Sequence, residues 1–170
     1  LKKVYQTVAF NYGVELFQKG QMQDAFDAFK KVSTYPMDPQ MVALSRYWMA
    51  DIQYRKNDLS AAINTYRDFI NSPASNSLPE KVDAYYNIGY AYLDQGRRDE
   101  AIQSFRTYLQ LNPDKPIKVV DATFRVADAY YVNKQNLQAI AQPTWLEIQA
   151  VKRCDLKQAC DSRSLDAFSI

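Results

Sequence analysis

The 170 residues suffice for one domain, and a hydrophobic share of 47% lets a core form without metals or disulfides. Lys and Arg number 21 against 19 Asp and Glu, scattered with no block of five like charges, which argues against a nucleic-acid or membrane-surface footprint. Histidine is absent, removing the commonest general base and the usual partner of a Ser or Cys nucleophile, and the four glycines, 13, 20, 89 and 96, form no phosphate-cradling loop.

Leu1-Lys2-Lys3-Val4-Tyr5 leads straight into an amphipathic pattern rather than a signal peptide. A start at Leu rather than Met is what an excised piece of a longer protein would show. No apolar run approaches the roughly 20 residues of a membrane span.

From there the chain repeats itself. Asn11 to Phe26, Met49 to Ile63, Ile88 to Ile102 and Val126 to Ile140 follow one plan, predicting helical hairpins near residues 6–39, 43–76 and 82–115, and an incomplete fourth over 120–142. Anchored on Ala25, Ala62, Ala101 and Ala139, the steps are 37, 39 and 38 residues. A small residue at Gly13, Ala50, Gly89 and Ala127 lets each first helix approach its second, and the anchor alanines do the same from the other side. Phe29, Tyr66 and Phe105 fill the space between successive hairpins. Gly20, Asn57 and Gly96 close the first helices, where a left-handed cap suits Gly or Asn. The Pro-rich connectors 33–39, 71–79 and 112–116 stop each second helix and restart the next first helix.

The plan breaks at Pro143, which stands where Phe29, Tyr66 and Phe105 sit in the other repeats. Thr144-Trp-Leu-Glu147 has the form of a capping box, so a new helix with Trp145, Ile148 and Val151 as its apolar stripe is predicted. Residues 143–170 are then a C-terminal helical cap and tail covering the last hairpin, as repeat arrays need. Cys154 and Cys160, six apart without a Cys-x-x-Cys pair, are expected to be free thiols rather than a zinc site or a disulfide.

In the third repeat Tyr85, Ile88, Gly89, Tyr92, Ala101, Phe105 and Pro113 stand where the tetratricopeptide repeat places its aromatic, Leu, Gly, Tyr, Ala, Phe and Pro. The chain resembles that family over about residues 4–142, with steps a little longer than the family's roughly 34. The resemblance implies an all-α fold, a right-handed superhelical solenoid of about three and a half hairpins with a C-terminal capping segment. Its connectors and Tyr-rich segments are most similar to bacterial cell-envelope repeat proteins of the Tol-Pal and outer-membrane-assembly type. That likeness implies a periplasmic or outer-membrane-associated place if a signal was removed, and a cytoplasmic one otherwise.

The family also implies that first helices line a concave groove. By register the groove residues are Phe10, Val14 and Phe17; Tyr47, Asp51 and Tyr54; Tyr86, Tyr90 and Asp94; and Phe124, Asp128 and Tyr131. Spacing agrees, since Phe10 and Phe17, Tyr47 and Tyr54, and Phe124 and Tyr131 are seven apart and share a helix face. A second stripe including Tyr85, Ile88 and Tyr92 is available for the hairpin core, so the first stripe reads as surplus to internal packing. Rigid rings with a polar tip suit a partner peptide or helix; the other reading is that they pack against one another across hairpins. The chaperone-type carboxylate clamp is absent, because its places hold Phe10, Val14, Trp48, Asp83 and Asn87.

The expected function is therefore a non-catalytic protein-binding scaffold with no cofactor and no metal. Self-assembly into a homo-oligomeric envelope module, and an accessory domain of a larger protein, are the alternatives. Asp51 and Asp128 occupy equivalent places two repeats apart, too far to converge as the carboxyl pair of a glycosidase.

Overall fold

A computed structural model describes residues 1–132. Seven α-helices run through them: α1 (Lys2–Gln18), α2 (Met22–Val32), α3 (Pro39–Arg55), α4 (Leu59–Asn71), α5 (Glu80–Asp94), α6 (Arg98–Gln110) and α7 (Pro116–Val132), with one 3-10 turn at Pro73–Ser75. No strand occurs among the described residues, and none of their helices is long and apolar enough to cross a membrane. The anchor Ala139, the domain boundary at 142/143, the capping box from Thr144 to Glu147 and both cysteines lie outside the described residues.

Helix boundaries follow from local chemistry. Gly20, Asn57 and Gly96 adopt positive φ of 76°, 62° and 73°, each ending a first helix with the same pair of backbone bonds. At the first, Gly20 N–H donates to Phe17 O at 3.0 Å and Gln21 N–H to Leu16 O at 2.9 Å, the closure expected of a left-handed cap. Asn112, at φ 59°, does a similar service after α6 and was not singled out by the sequence. Helix starts are equally explicit. Asp38 accepts from the Gln40 and Met41 amides at 2.9 and 3.3 Å, with Pro39 at the first helical position, an arrangement that satisfies orphan donors and needs no N–H from proline.

The chain falls into two compact units, Leu1–Tyr108 and a second from Leu109 onward. In the first, α1 packs on α2, α3 on α4, and each second helix on the first helix of the next hairpin. Ala25, Ala62 and Ala101 are each 0% exposed, so the anchors sit at the seams where a larger side chain would force the helices apart. Gly13 and Gly89 have the complementary role: a Cβ on either would stand 2.8 Å from ring carbons of Phe29 or Phe105. These two rings therefore press against their own first helices, and Phe29 also reaches Trp48 of the next hairpin, with centroids 6.4 Å apart. In the second unit, α7 buries Ala122, Val126, Ala129 and Tyr130, a stripe at helical spacing.

One buried polar residue holds the first hairpin to the second. Gln6 on α1 is 0% exposed; its Nε2 donates to Asp38 O at 3.2 Å and to Val32 O at 3.5 Å, while its Oε1 accepts from Asp38 N–H at 2.8 Å. The side-chain amide thus pairs with backbone groups that the connector would otherwise leave unpaired.

Candidate functional site

Helices α1, α3 and α5 are equivalent by the repeat, and so are the residues one and two turns apart on each. Phe10, Val14 and Phe17 on α1, Tyr47, Asp51 and Tyr54 on α3, and Tyr86 and Tyr90 on α5 are all half-buried, and Asp94 is exposed.

Cross-helix contacts join these rows into one face. The Tyr54 hydroxyl donates to Asp94 Oδ2 at 2.7 Å, spanning α3 and α5. Asn87 Nδ2 donates to the Tyr47 hydroxyl at 3.3 Å and to the Tyr66 hydroxyl at 3.2 Å, tying α5 to both helices of the preceding hairpin. Phe17 meets Trp48 with centroids 4.9 Å apart, joining α1 to α3. The Arg55 guanidinium lies over the Phe17 ring at 5.1 Å while its Nε pairs with Asp51 at 2.7 Å. Sequence reasoning did not place Arg55 in the site, although its spacing of four from Asp51 is the ion-pair signal on a helix.

The first stripe is not surplus to internal packing, contrary to the expectation from sequence. Phe10 packs edge-on to Phe29 at 5.8 Å, Tyr47 lies 5.9 Å from Tyr66 and 5.5 Å from Phe69, and Tyr86 and Tyr90 lie 5.8 and 5.3 Å from Phe105. The second-helix rings are large enough to reach both stripes of the first helix. Phe10, Tyr47, Tyr86 and Tyr90 are thus braced by second-helix rings of their own hairpins and stay partly exposed.

Electrostatics keep the phenols neutral. Burial, and then the charge of Asp83, pushes the Tyr47 hydroxyl well above its ordinary range; burial followed by Asp51 does the same to Tyr66. Tyr54 is pushed up to about 12, by burial first and by its bond to Asp94 second. Asp51 adds to the shift at all three, as the second cause at Tyr66 and a smaller one at Tyr47 and Tyr54.

Phe124, Asp128 and Tyr131 on α7 are exposed, Phe124 and Tyr131 by 62% and 67%. They belong to the second unit. Among the described residues no group of three or more His, Cys, Asp or Glu side chains could hold a metal ion.

Residues 43–116 match the model of the tetratricopeptide repeat family. No curated protein sequence matches the chain. Among solved structures it is similar to MamA, at 19% identity and a TM-score of 0.68 over 86% of this chain and 81% of that one. It is also similar to YrrB, a TPR protein, at 16% identity and a TM-score of 0.63 over 95% of this chain and 73% of that one. At such identities the likeness is one of fold.

Proposed function

We propose, from a chain that belongs to the tetratricopeptide repeat family over residues 43–116, that it is a scaffold holding a segment of a partner protein against the inner faces of α1, α3 and α5. The contact residues within the first unit are Phe10, Phe17, Tyr47, Asp51, Tyr54, Tyr86, Tyr90 and Asp94. Binding is the whole mechanism and no bond is made or broken. The observation that carries the reading is the row of half-buried rings fixed across helices by the Tyr54–Asp94 and Tyr47–Asn87 bonds. Rings held this way lose little entropy when a ligand arrives, so their edges give contact area at low cost. YrrB is a TPR protein with an unusual peptide-binding site, and the proposal extends that capacity to this chain.

The test compares partner capture by the wild-type chain with capture by Tyr54→Ala and Tyr90→Ala. Tyr47 and Tyr86 are poorer choices because each braces two second-helix rings of its own hairpin; Tyr90 also meets Phe105, so the dichroism control matters most for its variant. Loss of a partner from both variants, with far-ultraviolet circular dichroism unchanged, supports the reading; partners held equally by all three proteins would show that the face is idle.

A second reading, self-assembly, is favoured by α1. Its outer stripe leaves Val4, Val8 and Tyr12 exposed by 64%, 60% and 55%. At the places equivalent to Val8, Ser45 on α3 and Ala84 on α5 are 1% and 0% exposed, covered by the preceding hairpin. A hairpin of a second copy would fit there. Sedimentation across a concentration series decides: this reading requires a mass that rises with concentration and returns to that of one chain in Val8→Glu.

A further inference from the structure

Resting on the groove reading above, we propose that Tyr54, Tyr90 and Asp94 form a socket for an arginine or lysine side chain of the bound segment, so that the partner is basic.

Two equivalent junctions differ in what they hold. At the first, between α1 and α3, the ring of Phe17 and the carboxylate of Asp51 enclose the protein's own cation, with Arg55 5.1 Å from the ring centroid and 2.7 Å from the carboxylate. At the second, between α3 and α5, the repeat steps of 37 and 39 carry Phe17 onto Tyr54, Asp51 onto Tyr90 and Arg55 onto Asp94. The place filled by a guanidinium at one junction therefore holds a carboxylate at the next. That carboxylate is exposed and oriented: Tyr54 occupies one acceptor position of Oδ2 at 2.7 Å, and an ionised carboxylate has about four. Tyr90 stands one turn before Asp94 on α5, and Tyr54 reaches Asp94 from α3, so a cation paired with Asp94 has aromatic neighbours on both helices, as Arg55 has the Phe17 ring.

The charges nearby fit the same reading. Asp51 is already paired with Arg55, so Asp94 is an exposed carboxylate of the inner rows that an entering segment meets: it repels an acidic side chain and draws in a basic one.

The experiment selects binders from a phage-displayed library of random dodecapeptides against the full chain, then measures the selected peptides by fluorescence polarisation. The inference expects Arg or Lys flanked by apolar residues to be enriched. It also expects affinity to fall by about tenfold on Asp94→Asn, or on replacing the peptide's basic residue by Gln, and Asp94→Glu to retain more of it than Asp94→Asn. Peptides lost on Tyr54→Ala yet lacking basic residues, or basic peptides indifferent to Asp94→Asn, would overturn the basic socket and leave the groove standing. Selected peptides indifferent to Tyr54→Ala and Tyr90→Ala, or no enrichment, would overturn both.

Discussion

A methyl group at Gly89 would stand 2.8 Å from two carbons of the Phe105 ring, whereas one at Gly96 would meet nothing within 4 Å. The two glycines are thus needed for different reasons, one for space and one for its φ of 73°. Gly89→Ala should cost about 1–3 kcal/mol, the range for overpacking a filled core, and Gly96→Ala about 1–2 kcal/mol of left-handed strain. Adding Phe105→Leu should recover part of the first loss and none of the second, as thermal melts of the double variants would show. Tyr54 offers a pH signature at the same scale. Its folded-state value of about 12 lies above the roughly 10 of a free phenol. The stability this represents is present below about pH 10 and lost as pH rises toward 12, because the unfolded state then releases protons that the folded state keeps. Denaturant titrations at pH 9 and 11.5 should show a smaller decline for Tyr54→Phe than for wild type.

At the scale of elements, the first two hairpins are joined by a side-chain amide as well as by apolar packing. Gln6 has no solvent exposure and pairs with both the N–H and the C=O of Asp38, whose carboxylate caps α3. Gln6→Leu keeps the volume but strands those groups, and a loss of about 1–3 kcal/mol is expected. Asp38→Ala removes only the cap, for about 1 kcal/mol. Because both act on one connector, the double variant should lose less or more than the sum, a coupling that a double-mutant cycle would measure. Neither contact was legible beforehand. A glutamine within an amphipathic stripe reads as a surface residue until the connector is seen to fold back over it.

Within the first unit, α1 and α2 meet α3, and α3 and α4 meet α5, so stability should be nearly a sum of hairpin and junction contributions. Trp48 belongs to one junction, reaching Phe17 at 4.9 Å and Phe29 at 6.4 Å from its place on α3. Trp48→Ala should cost on the order of 3 kcal/mol and do so unevenly: hydrogen exchange should accelerate in α1 and α2 well before it does in α4 and α5. A uniform increase across all of them would mean that the junctions do not unfold separately.

The period of 37 to 39 residues, the left-handed closures at Gly20, Asn57 and Gly96, and the seams at Ala25, Ala62 and Ala101 were determined by the sequence alone, because each is a local steric demand that only certain residues meet. That Phe10 and Phe17, and Tyr47 and Tyr54, share a helix face was legible too, since spacing by seven puts residues on one face whatever surrounds them. Only the tertiary structure decided how those faces are used. Whether Tyr47 and Tyr86 are spare depends on how far Tyr66, Phe69 and Phe105 reach from the opposing helix, and whether Asp94 is bound depends on Tyr54 arriving from forty residues away. Such distances between side chains on different helices follow from how the hairpins stack, and no periodicity within one helix encodes them.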